Sequence, residues 1–303
     1  MKPSLNTPCC IGIDVAKAEV VVVIHGDTAT CSVANTRTAL TSWLKTLPAG
    51  SRLGLESTGS YHELLADLAH GAGFTVYLLN PKDVRHYAAS VGTRAKTDQV
   101  DARLLARFIA REHEALHPWQ PPTPVQRQLD ILLKRRATLV RASGAIRQSV
   151  AALPSLKTEI KSTFKAVDKL LDAIDREIEQ TLASQPDVQV QADCLRSVPG
   201  IGLLTGAALL NLFRRLPAAN ADAVVAFTGL DPRPCDSGQK RGKRRLSKRG
   251  PSELRRLLFN AAMAAAKTKC WRPYYERERA KGLPTTAALV VIARRLVRVA
   301  FAL

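Results

Sequence analysis

The chain has 303 residues, 46% of them hydrophobic and 23% charged, and its 45 Lys and Arg against 26 Asp and Glu give a formal charge of +19 at neutral pH. That balance excludes wholesale disorder, and the length suits about two domains at roughly 100–200 residues each. A basic excess of this size points to polyanionic partners: DNA, RNA or an anionic membrane.

The membrane reading is weak. The apolar runs at 20–24 and 287–293 fall short of the ~20 residues a span needs, and Arg294-Arg295 ends the second. The N-terminus, Met1-Lys2-Pro3-Ser4, lacks the apolar core of a secretory signal, so a cytoplasmic location is expected. Cysteines 9, 10, 31, 194, 235 and 270 show no CxxC spacing. They read as reduced thiols without a disulfide framework or zinc site.

Residues 1–117 read as an α/β domain. Strands are predicted at 11–15, 18–24, 29–33, 52–56 and 74–79, with helices near 36–47 and 61–70. A three-strand meander followed by helix, strand, helix and strand is the order of a ribonuclease H-like sheet. Pro118, Pro121, Pro122 and Pro124 mark a boundary. Across 118–190, apolar residues from Val125 to Leu153 and from Ile160 to Ile178 step by three, four or seven around Pro154, predicting a helical hairpin or an oligomerising coiled coil. Its Arg and Lys face is either solvated or turned to nucleic acid. Residues 191–303 read as mainly helical, with helices near 251–267 and 285–301.

The acidic residues carry more information than the basic ones. Asp14 ends the first strand and Glu56 ends the fourth, while Asp98 and Asp101 lie three apart on one face of a helix start. Four hard oxygen ligands at strand ends and a helix N-terminus suit Mg²⁺ and phosphoryl transfer on nucleic acid. Taken singly, Asp98 could instead be a helix cap and Glu56 a turn acceptor.

In Val198-Pro199-Gly200-Ile201-Gly202, two glycines between helices form the turn of a helix-hairpin-helix element. Gly200 and Gly202 there either bring backbone N–H groups to a DNA phosphate or simply close the turn. Further on, Ser237 and Gly238 precede Lys240, Arg241, Lys243, Arg244, Arg245, Lys248 and Arg249 in a loop dense in cations. The loop suits a phosphate backbone. Ser237 is a candidate nucleophile beside charges able to stabilise a pentavalent phosphorus, or else a turn residue, with Ser247 and Ser252 as rivals.

On Gly12-Ile13-Asp14-Val15-Ala16-Lys17, Leu55-Glu56-Ser57-Thr58-Gly59, Asn80-Pro81, Lys96-Thr97-Asp98-Gln99-Val100-Asp101-Ala102, Pro199-Gly200-Ile201-Gly202, Gly229-Leu230-Asp231-Pro232 and Leu246-Ser247-Lys248-Arg249-Gly250, the chain resembles the DEDD transposases of insertion-sequence family 110, the bridge-RNA-guided recombinases. The resemblance spans nearly the whole chain. It implies a RuvC-like N-terminal domain, a central coiled coil joining subunits and a C-terminal transposase domain. It also implies Asp14, Glu56, Asp98 and Asp101 as a Mg²⁺-binding tetrad and Ser237 as a nucleophile forming a phosphoserine link to DNA. The partners it implies are donor and target DNA, a non-coding guide RNA and further copies of the chain, with the acidic domain of one subunit serving the serine domain of another. Pro251 departs from the family, where Asn more often follows the glycine. The readings that compete are a metal-only junction resolvase, with water as the attacking group, and a non-catalytic nucleic-acid-binding protein.

Overall fold

The computed structural model describes residues 8–57, 59–93, 97–216, 220–234, 236–238, 242 and 244–303. The chain divides into two compact units, 1–121 and 122–303.

The first unit opens with strands β1 (Cys10–Val15), β2 (Glu19–Ile24) and β3 (Thr30–Ala34), then helix α1 (Arg37–Leu44) and strand β4 (Arg52–Glu56). Helix α2 (Glu63–Gly71), strand β5 (Thr75–Leu79), helix α3 (Pro81–Ser90) and helix α4 (Asp98–Glu112) follow. The sheet order is β3-β2-β1-β4-β5, antiparallel across β1–β2 and β2–β3 and parallel across β1–β4 and β4–β5. The five expected strands form close to where the apolar alternation put them. Helix α3 was not expected. Its start was nonetheless written locally, since Asn80 accepts from the Lys82 N–H and Pro81 takes the first helical position, where no backbone donor is needed.

Alternation splits the sheet's two faces. Ile11, Ile13, Leu53 and Leu55 are fully buried on the face that packs against Leu40 and Leu44 of α1 and Leu65, Ala66 and Ala69 of α2. The intervening residues of β1 and β4 are Gly12 and Asp14, and Gly54 and Glu56, which therefore look to the opposite face, where α4 lies. That alternation decides where the carboxylates go.

The second unit begins with α5 (Pro124–Ser149) and α6 (Lys157–Ala183), the expected hairpin around Pro154. A capping box closes the start of α5, with Thr123 and Gln126 bonding each other's backbone. Helices α7 (Pro186–Arg196), α8 (Leu203–Phe213) and α9 (Ala221–Thr228) come next. Strands β6 (Pro232–Arg233) and β7 (Arg245–Leu246) then pair antiparallel. Helices α10 (Ser252–Ala265), α11 (Arg272–Ala280) and α12 (Thr285–Phe301) complete the chain. Val125, Leu129 and Leu132 of α5 and Ile178 and Leu182 of α6 share one core with α7, α8, α9, α10 and α12. Farther along the hairpin the apolar positions Ile146, Leu153, Leu156 and Leu170 are exposed. No helix among the described residues is long and apolar enough to cross a membrane.

Candidate active site

Two glycines build the acidic site. Gly12 and Gly54 face each other in the parallel β1–β4 register, so continuing that register sets Asp14 beside Glu56. A Cβ on Gly12 would lie 1.9 Å from the carbonyl oxygen of Ala102 and 2.2 Å from the amide nitrogen of Ala106, both on α4. One on Gly54 would lie 2.8 Å from the Ile109 side chain. The pair of hydrogens forms a trough into which α4 sinks, with Ala102, Ala106 and Ile109 fully buried at the crossing. Running back along β1 from this crossing, α4 brings its first turn, with Asp98 and Asp101, to the end of the strand that carries Asp14.

The electrostatics report the same convergence. Burial, followed by the charges of Asp98, Asp101 and Glu56, pushes the Asp14 carboxyl from 3.8 up to about 6. The other three carboxylates singled out in the sequence thus all act on Asp14. Thr97 caps α4 by accepting from the Val100 N–H at 3.3 Å, so the cap is already filled and Asp98 stands one position inside the helix. Among the described residues no three acidic, His or Cys side chains close tightly enough to enclose an ion.

Asn35, which sequence reading passed over, ties the loops beyond these strands. Its side-chain amide donates to the Ala16 carbonyl at 2.9 Å and to the Tyr61 carbonyl at 3.2 Å. Ala16 lies just past the end of β1, two residues after Asp14, and Tyr61 lies in the turn that leads from Glu56 to α2. The repeated Gly-x-Asp and Gly-x-Glu spacing was the signal for the glycine trough; Asn35 left none, because its partners are remote in sequence.

In the second unit, the basic loop is the arm of the β6–β7 hairpin. Its root is held without a core of its own. Ser247 donates to the Asp231 carboxylate, its backbone N–H reaches the Asp231 carbonyl at 3.0 Å, and Lys248 N–H reaches the Gly229 carbonyl at 3.1 Å. Gly229 turns left-handed (φ 72°) at the end of α9, and a Cβ on Gly250 would sit 2.0 Å from the Phe227 carbonyl oxygen. Ser247 is therefore engaged in the root. Ser237 is exposed on the arm, followed by Gly238 at φ 54°. Next to it, Asp236 accepts from Arg244 at 2.7 Å and from the Gly242 N–H at 3.1 Å, and the Arg244 bond holds its carboxyl below the usual range. Arg245 lies on β7, and Lys248 and Arg249 are exposed at the root. Lys240, Arg241 and Lys243 lie outside the described residues.

The helix-hairpin-helix glycines separate. Gly200, at φ 100°, packs onto α10, where a Cβ would meet the Ala261 carbonyl oxygen at 2.6 Å. Gly202 opens α8 with space around it. Of the two readings for that turn, packing accounts for Gly200, while Gly202 stands at the exposed helix start.

One chain thus joins a sheet with carboxylates at its strand ends to a basic helical unit, and its class is that of the DNA-recombining transposases. The family model for DEDD transposases of IS110 matches residues 11–156, and the model described as transposase, IS116/IS110/IS902 family, matches residues 192–276. Relatives include a pilin gene-inverting protein of Moraxella lacunata, 29% identical over 96% of this chain and 94% of its own length. An uncharacterized 42 kDa protein of insertion element IS900 from Mycobacterium paratuberculosis is 24% identical over 98% and 95% respectively. The transposase for insertion sequence element IS1328 of Yersinia enterocolitica is 26% identical over 75% and 74%. The chain belongs to the IS110 family of transposases.

Proposed function

We propose that this chain cuts and rejoins DNA through a phosphoserine link at Ser237, inserting and excising its own mobile element with Mg²⁺ held by Asp14, Glu56, Asp98 and Asp101. The observation that carries the reading is the placing of Asp14 within the field of the other three carboxylates by the Gly12–Gly54 trough. The sheet order supports a ribonuclease H-like, RuvC-like scaffold, in which that end of β1 faces substrate. Asp14, raised by burial and by three neighbouring carboxylates, is the kind of oxygen donor a hard divalent cation relieves of charge, and such a cation when bound would neutralise phosphate charge at this end of the sheet. DNA phosphate approaching a site this acidic needs such neutralisation.

At the hairpin, the Ser237 oxygen would attack a backbone phosphorus. The new bond is Oγ–P, the bond lost is P–O to the next nucleotide, and the departing oxygen takes up a proton as the serine gives one up. Arg244 and Arg245 would meet the charge that grows on the phosphoryl oxygens. Reversal onto a different strand's hydroxyl completes an exchange, a chemistry in keeping with the gene inversion in the names of the Moraxella relatives.

Within the same reading, residues 1–117, 118–190 and 191–303 divide the labour as acidic domain, oligomerising hairpin and serine domain. The exposed apolar residues along the outer hairpin favour a homo-oligomer. A non-coding guide RNA supplies target choice, with the net charge of +19 serving both nucleic acids.

The test is an in vitro exchange assay with the copurified RNA, element DNA and Mg²⁺. Ser237→Ala should bind DNA yet form no protein–DNA adduct, and Asp14→Asn should lose Mg²⁺-dependent cleavage. Cleavage that survives Ser237→Ala but not Asp14→Asn would establish the metal-only resolvase instead.

A further inference from the structure

Outside the hairpin, the strongest unassigned basic feature is where α11 meets α12. Tyr274, 40% exposed, lies between two guanidiniums: Arg277 from its own helix, 5.3 Å from the ring centroid, and Arg295 from α12, 5.2 Å away. From Arg279 to the last residue the chain contains five Lys and Arg and no Asp or Glu. Glu278, buried, is the acid at hand, and it is shared between Arg277 at 3.7 Å and Lys281 at 3.1 Å. Arg295 makes no ion pair among the described residues, whereas Arg298 on the same helix is bound to Asp222 at 2.5 Å. Two cations are therefore held on one exposed ring with less acid than they need.

The place is informative. Arg294, one residue back along α12, lies within the field of Asp222 and of Asp231 at the hairpin root. A helix turns about 100° per residue, so Arg295 comes off the adjoining flank of α12. The flank of α12 that carries the ledge is thus next to the flank beside the hairpin root. Guanidiniums braced against an aromatic ring keep their N–H edges outward, the geometry with which arginine grips phosphate in pairs of hydrogen bonds.

We propose that Arg277, Tyr274 and Arg295 form a ledge that binds the phosphodiester backbone of the nucleic acid engaged by the basic hairpin. The ledge rests on the reading of this unit as a nucleic-acid-processing one, and does not depend on which serine or metal performs the chemistry.

The test uses the full chain and two fluorescent probes, a short DNA duplex and a structured RNA of arbitrary sequence, titrated by anisotropy across roughly 50–200 mM salt. Arg277→Gln with Arg295→Gln should weaken binding by about tenfold and make the log–log salt slope shallower by about two. Tyr274→Leu, which keeps both charges and removes the brace, should weaken binding a few-fold with little change in slope. Arg272→Gln is the control, since that residue is exposed on α11 but already paired to Glu276 at 2.8 Å, and should leave binding unchanged. Should the double variant melt early, Arg295→Gln alone carries the test, with a slope change of about one. Loss on the duplex probe alone identifies DNA as the occupant, and loss on the RNA probe alone identifies RNA. Unchanged affinity and slope on both probes, or an equal loss in Arg272→Gln, overturns the ledge. Wild-type protein that binds both probes but forms no adduct at Ser237 with element DNA, copurified RNA and Mg²⁺ would remove the phosphoserine reading and leave the ledge standing.

Discussion

Asp14 shows what the site costs the fold. Its carboxyl titrates near 6 in the folded chain and near 3.8 as an ordinary carboxylate, so the native state holds that proton more tightly than the unfolded state does. Folding stability from this group is therefore greatest below about pH 4, declines as pH rises towards 6, and stays reduced above it. Asn at the same place removes the penalty. In metal-free buffer at pH 7.5, Asp14→Asn should be more stable to urea by on the order of 1 kcal/mol, the shift being discounted because the group is half in solvent. Near pH 4 that advantage should vanish. A gap of the same size at both pH values would mean that the substitution acts by packing rather than by charge. The carboxylates themselves could be read from sequence because a charge at the end of an apolar strand is out of place there. Asn35 could not, because its two hydrogen bonds reach 19 and 26 residues away.

At the scale of elements, the glycine trough and the hairpin root do the positioning. Gly12→Ala sets a methyl against α4 backbone that cannot move without lifting the helix, whereas Gly54→Ala meets the end of an isoleucine side chain that can turn aside. Thermal melts should rank them in that order, with Gly12→Ala losing ~3 kcal/mol or more and Gly54→Ala about 1–2 kcal/mol. Equal losses would contradict the close crossing of α4 over Gly12. The five strands and the two long hairpin helices were legible because their apolar periods are long and local. Helices α3, α9 and α11 were not. α9 and α11 have 8 and 9 residues, and α11 has a proline, Pro273, at its second position, so neither gives much periodic signal. The β6–β7 ladder, two residues a side, offers no alternation at all, and what fixes it is Asp231, Ser247, Gly229 and Gly250 meeting across the root.

At the scale of the whole molecule, the charge of +19 is unevenly used. Some of the 45 Lys and Arg are held in pairs inside the second unit, which leave the excess untouched: Arg136 with Asp175, Arg214 with Asp187, and Arg215 with Asp130. On the function proposed above, Arg245, exposed on β7, and the α11–α12 ledge are the cations that meet phosphate. Nucleic-acid affinity should accordingly fall steeply with ionic strength, and variants in the paired set should alter stability more than the salt slope.

The most direct measurement is of the bond itself. Protein trapped on element DNA in the presence of its copurified RNA and Mg²⁺ can be digested with protease and nuclease and the adduct peptide sequenced by mass spectrometry. A phosphoserine link places a nucleotide remnant on Ser237, and none in Ser237→Ala or Asp14→Asn protein. A remnant on Ser247 or any other residue, or DNA cut without any adduct, would contradict it.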